Sequence, residues 1–133
     1  MKFPYKRYSP TVLRPVIPVN LKSGNKSIAY EVLVDSGADL CLFDAELGEY
    51  LGIEVKSGKK REVFGVGGKA SIYYLNKITL EVGGWSFEIE AGFMFGVSGN
   101  QLRYGVLGQR GFFDQFKSIN FDYNKGDVEL KLK

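Results

Sequence analysis

The sequence contains no histidine and only one cysteine, Cys41. Without histidine, the chain cannot build a Ser-His-Asp or Cys-His triad, an H-E-x-x-H metalloprotease site or a histidine-ligated zinc site. A single cysteine excludes an intrachain disulfide and a cysteine zinc cluster. Because Cys41 lies in the apolar stretch LCLF, we predict a small buried hydrophobic residue and not a thiolate nucleophile.

Long apolar runs and a strong excess of one charge are also missing. No segment approaches the roughly 20 apolar residues of a membrane span, and the first ten residues, MKFPYKRYSP, lack the apolar core of a signal peptide. We therefore expect a cytoplasmic protein with no membrane partner. The formal net charge of +3 is too small to indicate nucleic-acid binding. The basic stretch KSGKKRE (56–62) predicts a solvated turn, with a basic surface for an acidic partner as the less favoured interpretation.

The composition is that of one folded domain, with 133 residues of which 44% are hydrophobic and 25% charged. Prolines at positions 4, 10, 15 and 18 predict an extended N-terminal arm over residues 1–14. Beyond it, runs of β-branched and aromatic residues alternate with glycine-containing turns, which predicts a mainly β domain. The predicted single strands are VIPVNL, SIAYEVLVD, LCLF and YGVLG. Most of the segment from REVFG to FMFG is also predicted to be strand, with a hairpin turn at VGGW. At the C-terminus, INFDY and VELKL are predicted to form a hairpin around NKGD.

Two short helices are predicted within this β-structure. Asp44 can cap a helix over AELGEYL, which Gly48 should keep short. Its inner face would be formed by Leu47, Tyr50 and Leu51. The segment QRGFFDQF (109–116) predicts a second short helix with Phe113 and Phe116 turned inward.

The stretch YEVLVDSGADLCLF places Asp35, Ser36 and Gly37 directly after an apolar run. These residue types usually mark an ordinary turn. Here, however, apolar runs on both sides predict that the turn lies near the core, where a carboxylate needs partners or an altered pKa. A carboxylate with a perturbed pKa in a cleft is a candidate functional group.

Three motifs follow one another along the chain: DSGAD at 35–39, GVGG at 65–68 and VLG at 106–108, the last followed by a predicted helix. In this order they resemble the retropepsin-like aspartic proteases, the single-domain class that includes the retroviral proteases. The resemblance covers about residues 15–130. It implies a single retropepsin-like β-barrel domain over residues 1–133, in which a strand delivers the Asp-Ser-Gly loop, a glycine-rich hairpin forms a flap and the apolar-apolar-Gly motif supports the loop.

The resemblance also implies a role for each matching residue. Asp35 would be the catalytic aspartate, Ser36 would hydrogen-bond the equivalent loop across a two-fold axis, and Gly37 would let the substrate backbone pass close by. The implied substrate-binding residues are Ala38, Asp39, Val66, Gly67 and Gly68. Among them, Asp39 would bind the peptide main chain at the end of the cleft, and the last three would form the flap tip.

The implied chemistry uses two carboxylates that share one proton, so that one activates a water and the other protonates the scissile carbonyl. The chain holds a single Asp-Ser-Gly, so a symmetric homodimer is required. We therefore expect an aspartic endopeptidase that acts on a peptide or protein and needs no metal or other cofactor.

One position departs from the family pattern. Many members have arginine directly after the glycine of the apolar-apolar-Gly motif, where it pairs with the second aspartate of the loop. Here Gln109 takes that position and Arg110 follows it. Helical geometry would point the two side chains in different directions, so the supporting ion pair with Asp39 is not assured by the sequence.

Two alternatives compete with the protease hypothesis. The chain could keep the fold as a non-catalytic dimerisation or peptide-binding module, which the intact Asp35, Ser36 and Gly37 disfavour and Gln109 mildly favours. It could also bind a nucleotide, since residues 65–70 fit G-x-G-x-x-A. That fingerprint opens a helix, however, and the residues that follow here are β-like.

Overall fold

The computed structural model describes residues 1–64, 70–96 and 105–133. These residues form mainly β-structure with one short α-helix, as predicted. The strands are β1 (Lys2–Pro4), β2 (Lys6–Ser9), β3 (Val12–Arg14), β4 (Val16–Ser23), β5 (Lys26–Val34), β6 (Leu42–Asp44), β7 (Lys59–Phe64), β8 (Ala70–Val82), β9 (Trp85–Met94), β10 (Gly105–Leu107), β11 (Phe116–Asp122) and β12 (Asp127–Leu132). The helix α1 spans Ala45–Tyr50, and single 3₁₀ turns lie at Val55–Ser57 and Phe113–Gln115. No helix in these ranges has the length and apolar character of a bilayer-spanning segment.

Seven of the strands form one sheet that closes on itself. Its order is β4-β5-β10-β6-β9-β8-β7, and β4 also pairs with β8. The closure is possible because β8 is 13 residues long. Its first half pairs with β7, and its second half pairs with β4, where Leu21 lies opposite Leu80. The barrel implied by the sequence is therefore a ring-like sheet with β7 attached at its open edge.

The strands of this ring supply most side chains of the hydrophobic core, and the three-stranded sheet at the chain ends, α1 and the adjoining loops supply the rest. In β4, Ile17, Val19 and Leu21 are buried while Pro18 between them is exposed, which is the alternation of a strand with one face inward. Burying such side chains stabilises the fold by roughly 1.5–3 kcal/mol each. The largest fully buried side chains are Phe43, Phe93, Phe112, Ile17, Leu21, Leu80, Leu107 and Leu130.

Both ends of the chain belong to a separate three-stranded sheet. β12 lies in its centre, with β1 on one side and β11 on the other. The predicted C-terminal hairpin is confirmed, because β11 and β12 pair antiparallel with Asp122 opposite Asp127. The amino group of Met1 donates a hydrogen bond of 3.0 Å to the carbonyl of Leu130. In the N-terminal arm, β2 and β3 form a further two-stranded hairpin.

The course of β8 bears on the glycine-rich motif at 65–70. The residues from Ala70 onward form a strand and not the helix that a dinucleotide fingerprint opens, so the nucleotide-binding alternative loses its structural basis. At the other end of β8, the predicted hairpin turn is confirmed, with Val82 opposite Trp85. Gly83 and Gly84 both have positive φ there, which such a two-residue turn requires.

Helix α1 begins at the predicted cap, and of its predicted inner face Leu51 is buried and Leu47 is half-buried against the core. The carboxylate of Asp44 accepts a hydrogen bond of 3.0 Å from an amide in the first turn, so the predicted cap is confirmed. The prediction that Tyr50 faces inward is wrong, because this side chain is 59% exposed. The helix packs instead through Gly48, on which a Cβ would lie 2.9 Å from a methyl carbon of Val55. The glycine that weakens the helix therefore permits its close contact with the core.

The second predicted helix is only the 3₁₀ turn at Phe113–Gln115. Phe116 is buried as predicted, but the other inward ring is Phe112, which is fully buried, whereas Phe113 is half-buried. The rings of Phe112 and Phe116 pack with their centroids 5.1 Å apart. Because the helical segment has only three residues, the residues that flank it determine which rings face the core.

The basic stretch 56–62 is a turn only in its first half. β7 begins at Lys59 and pairs in register with β8, so the prediction of a turn over the whole stretch is wrong. The side chains of Lys59, Lys60 and Arg61 are exposed, as expected for a solvated segment. Charged side chains on an open edge strand disfavour pairing with other chains.

Candidate active site

Asp35 directly follows the last residue of β5. Because β5 runs between β4 and β10, Val34 is paired from both sides and lies opposite Leu107 of β10. The amide of Val34 donates a hydrogen bond of 2.9 Å to the carbonyl of Pro15, and the amide of Asp35 donates one of 3.0 Å to the carbonyl of Leu107. The backbone that carries the Asp35 carboxylate is therefore held on both sides.

The loop that starts at Asp35 is crossed by the chain that leaves β10. Gly108 lies at the crossing, where a Cβ would be 2.4 Å from the carbonyl oxygen of Leu40 and 2.7 Å from that of Ala38. Only a residue without a side chain fits between these carbonyls. One residue later, the amide of Gln109 donates a hydrogen bond of 2.8 Å to the carbonyl of Ala38. The VLG motif thus brings its glycine against the DSGAD loop, a contact between two distant parts of the sequence.

The Asp35 carboxylate is oriented by its own loop. Its Oδ1 accepts a hydrogen bond of 2.9 Å from the amide of Gly37, and its backbone carbonyl accepts one of 3.2 Å from the amide of Ala38. This arrangement is the turn that aspartate favours when its side chain binds the backbone two residues ahead. Asp35 is half-buried, and its Oδ2 forms no hydrogen bond within the described residues. The carboxylate thus has the partner that its position requires, and no described residue hydrogen-bonds to its second oxygen.

Gln109 ties the candidate loop to the crossing chain through its side chain. Its Nε2 donates a hydrogen bond of 2.6 Å to the carbonyl oxygen of Ser36. Arg110 does not supply the ion pair of the family pattern. Its backbone amide donates to the carbonyl of Asp39 at 2.9 Å, but in the described part of the chain no ion pair joins the two side chains. The loop is therefore closed by a neutral hydrogen bond.

Cys41 lies just beyond the loop and is fully buried. Burial raises the pKa of its thiol from 9.0 to about 11. The Sγ atom lies 3.6 Å from the carbonyl oxygen of Arg110, to which the thiol can donate a weak hydrogen bond. The prediction of a buried thiol is confirmed, and such a group is not a nucleophile at neutral pH.

The structure brings most of the predicted site residues together in one loop. Ser36, Gly37 and Asp39 are exposed, while Asp35 and Ala38 are half-buried. The hydroxyl of Ser36 makes no hydrogen bond within the described residues. The predicted flap residues, Val66, Gly67 and Gly68, lie outside the described residues.

Sequence reasoning identified the loop but missed what holds it. The carbonyls of Pro15 and Leu107 gave no sequence signal, because any residue supplies a carbonyl. Gln109 stood out only as a departure from a family pattern, and its bond to Ser36 was not foreseen. Pro15, which directly follows the N-terminal arm, and the VLG motif lie in the two segments that supply these contacts.

The chain matches the family model described as Aspartyl protease over residues 17–110, a range that includes the whole candidate loop and Gly108. No curated protein sequence matches it significantly. Among solved structures, it resembles a retropepsin-like aspartic protease from Rickettsia conorii with a TM-score of 0.67 and 18% identity, covering 98% of this chain and 88% of that one. It also resembles EIAV protease complexed with the inhibitor HBY-793, with a TM-score of 0.53 and 20% identity, covering 77% of this chain and 88% of that one. At such low identities, these two likenesses concern the fold.

Proposed function

Since the chain belongs to the aspartyl protease family and has the retropepsin-like fold, we propose that it is an aspartic endopeptidase that acts as a homodimer. The observation that carries the proposal is the setting of Asp35. Its carboxylate follows a strand whose last residues are paired on both sides, is held through Oδ1 by the amide of Gly37, and keeps Oδ2 without a partner in the described residues. A strand end positions a catalytic group more rigidly than a free loop does.

The proposed reaction needs a second carboxylate close to the first. Two such groups cannot both ionise, so they share one proton. The ionised one removes a proton from a water molecule, whose oxygen attacks the carbonyl carbon of the peptide bond, while the protonated one gives its proton to the carbonyl oxygen. The resulting tetrahedral intermediate then breaks its C–N bond. The departing nitrogen takes the proton that the first carboxylate removed from water, and the second carboxylate takes back a proton from a hydroxyl of the intermediate, which leaves a carboxyl product and restores the shared proton. Each protomer supplies one Asp35 to this pair.

The protomer itself supports the need for a partner. Its sequence holds one Asp-Ser-Gly, and no other carboxylate hydrogen-bonds to Asp35 in the described residues. Ser36 and Gly37 are exposed beside it, and the Ser36 hydroxyl is unpaired there. We assign this hydroxyl to a bond with the equivalent loop of a second copy, across a two-fold axis that passes between the two Asp35 side chains.

The substrate contacts that we propose lie on the same loop. Gly37 has no side chain to hold a peptide backbone away, and Asp39 presents an exposed carboxylate without an ion-pair partner in the described residues. Asp39 would accept hydrogen bonds from the main-chain amides of a bound peptide. Ala38, which is half-buried between Gly37 and Asp39, would contact the bound peptide as well.

Cleavage of a peptide library, mapped by mass spectrometry between pH 4 and 7, tests the proposed function. We expect internal cleavage that a statine-type transition-state mimic blocks and that a metal chelator leaves unchanged. Asp35→Asn should abolish it, while Glu46→Gln, which changes an exposed carboxylate on α1, should not. Binding of library peptides without any cleavage would instead favour the non-catalytic module. The mild support that Gln109 gave that alternative is weakened by its bond to Ser36, which ties the loop without an arginine.

A further inference from the structure

Gln109 contacts the candidate loop twice, once through its backbone and once through its side chain. Its amide donates to the carbonyl of Ala38 at 2.8 Å, and its Nε2 donates to the carbonyl of Ser36 at 2.6 Å. These two carbonyls flank Gly37. The chain that leaves β10 thus holds the loop at two points, although Gln109 and Ser36 lie 73 residues apart in the sequence.

The side-chain contact reaches Asp35 through a single peptide group. The carbonyl of Ser36 and the amide of Gly37 belong to the same planar peptide bond, so fixing one fixes the direction of the other. The amide of Gly37 donates to Oδ1 of Asp35 at 2.9 Å. A donor on the carbonyl also polarises the amide on the opposite side and strengthens the bond that it makes.

We infer that Gln109 is a positioning residue for Asp35, acting through the Ser36–Gly37 peptide group. Its carboxamide sets the plane of this peptide, and the peptide amide sets the orientation of the carboxylate. Gln109 does this without a charge, so the bond does not depend on the ionisation of a partner. The inference rests on the proposed function, because it assigns to Gln109 a part in the same reaction.

Arg110 is not a substitute for this role. Its backbone amide donates to the carbonyl of Asp39, and the residue lines a cavity of about 270 Å³ whose lining includes neither Asp35 nor Ser36. The acidic residues that share this cavity are Glu88, Glu90 and Asp114. Arg110→Gln therefore provides a matched control, since it changes the neighbouring side chain and leaves the Gln109 contact in place.

The test compares two substitutions of Gln109 that keep its length. Gln109→Met removes the donor, and we expect kcat to fall about 5- to 10-fold with little change in KM, as the loss of one net hydrogen bond would produce. Gln109→Glu introduces a group that donates only when protonated. At pH 7 its carboxylate faces the Ser36 carbonyl, and kcat should fall further than in Gln109→Met. Toward pH 4, near the ordinary carboxyl pKa, the variant should recover toward the wild-type rate at the same pH.

The pH dependence of the ratio of variant to wild-type kcat distinguishes positioning from a general loss of stability. For Gln109→Glu the ratio should rise as the pH falls, while for Gln109→Met and Arg110→Gln it should stay flat, with Arg110→Gln near unity. A flat ratio for Gln109→Glu, or Gln109→Met that cleaves at the wild-type rate, overturns the inference and leaves the proposed function intact.

A readout independent of cleavage separates this inference from the proposed function. In the NMR spectrum, the amide proton of Gly37 should shift as the hydrogen-bonded Asp35 carboxylate titrates. We expect the amplitude of this shift to shrink in Gln109→Met and to stay unchanged in Arg110→Gln. If the wild type cleaves no peptide at any pH, the proposed function fails, and this amplitude decides the positioning role alone. An equal amplitude in wild type and Gln109→Met would then reject it.

Discussion

A Cβ atom on Gly108 would lie 2.4 Å from the carbonyl oxygen of Leu40, a separation that real Cβ atoms do not reach. The neighbouring atoms are backbone atoms and cannot rotate away as a side chain would. This contact holds the end of β10 against the loop that carries Asp35. The identity of residue 108 is therefore fixed by packing between two chain segments.

We expect Gly108→Ala to lower the free energy of unfolding by about 3 kcal/mol, because the added methyl group forces two backbone segments apart. Urea unfolding followed by circular dichroism measures this loss. Gly24→Ala is the control, since Gly24 lies in an open turn with φ of 59° and no atom within 4 Å of its Cβ position. It should cost only about 1 kcal/mol, from backbone strain alone. Equal losses in the two variants would show that the crossing is not crowded.

The buried thiol of Cys41 should be both unreactive and sensitive to alkaline pH. In the native protein at pH 8, a disulfide reagent should modify it far more slowly than in 6 M guanidinium, because the thiolate is the reactive form and burial raises the pKa to about 11. Rapid labelling of the native protein would contradict the buried setting.

The same pKa predicts how stability changes with pH. The folded state holds the thiol proton more tightly than the unfolded state, whose pKa is 9.0. The contribution of the protonated thiol to the free energy of unfolding is therefore complete below pH 9. It is lost as the pH rises toward 11, by roughly 2–3 kcal/mol in all. Between pH 8 and 11, the free energy of unfolding of the wild type should therefore fall by this amount relative to that of Cys41→Ala, which has no thiol, as measured by urea unfolding. A difference that does not change with pH would mean that the thiol ionises equally in both states.

The cap of α1 provides a smaller, local test. Asp44→Ala removes the carboxylate that accepts a hydrogen bond from the first turn, and should lower the free energy of unfolding by about 1 kcal/mol. Glu49→Ala, an exposed position near the other end of the same helix, should stay within about 0.5 kcal/mol of wild type. Thermal unfolding of both variants measures the difference. A loss in Glu49→Ala as large as in Asp44→Ala would remove the capping explanation.

The features that the sequence predicted are those determined by near neighbours. The cap at Asp44, the turn at Gly83 and Gly84 and the C-terminal hairpin depend on residues a few positions apart, so their patterns are visible in the chain. The loop from Asp35 to Asp39 was also recognisable, because its motif is local.

The features that the sequence did not predict depend on distant contacts. Helix α1 packs closely against Val55 and Phe93 through Gly48, and Tyr50 is left exposed. A helical pattern in the sequence does not show that these side chains lie opposite the glycine. The bond from Gln109 to Ser36 joins two loops whose meeting depends on the parallel pairing of β5 and β10. Such contacts become visible only when the strands are placed beside each other.

Dimerisation should govern the activity if each protomer supplies one aspartate. We expect specific activity to fall when the protein is diluted, in step with the fraction of dimer measured by analytical ultracentrifugation. Mixing wild type with an excess of Asp35→Asn should inhibit the wild type, because most of its protomers would then sit in mixed pairs with one carboxylate. Full peptide cleavage by a strictly monomeric species would contradict the shared site.

The sharpest prediction concerns Asp35 itself. Asp35→Asn keeps the shape of the side chain and an oxygen that accepts the hydrogen bond from Gly37, but it removes the group that titrates. Neither water activation nor protonation of the carbonyl can then occur, so kcat should fall by several orders of magnitude. The fold and the dimer should survive, and the free energy of unfolding should not fall, since two carboxylates no longer crowd one site.

The pH profile and a second substitution separate catalysis at Asp35 from substrate binding at Asp39. Wild-type activity should decline on the alkaline side as the pair of aspartates loses its shared proton, with apparent pKa values that belong to the pair. Asp39→Asn should raise KM more than it lowers kcat, because this exposed carboxylate is proposed to bind the peptide main chain and not the reacting atoms. Steady-state kinetics on one cleaved library peptide, measured for both variants, makes the comparison. If Asp35→Asn cleaves that peptide at the wild-type rate, the aspartic protease mechanism is wrong for this chain.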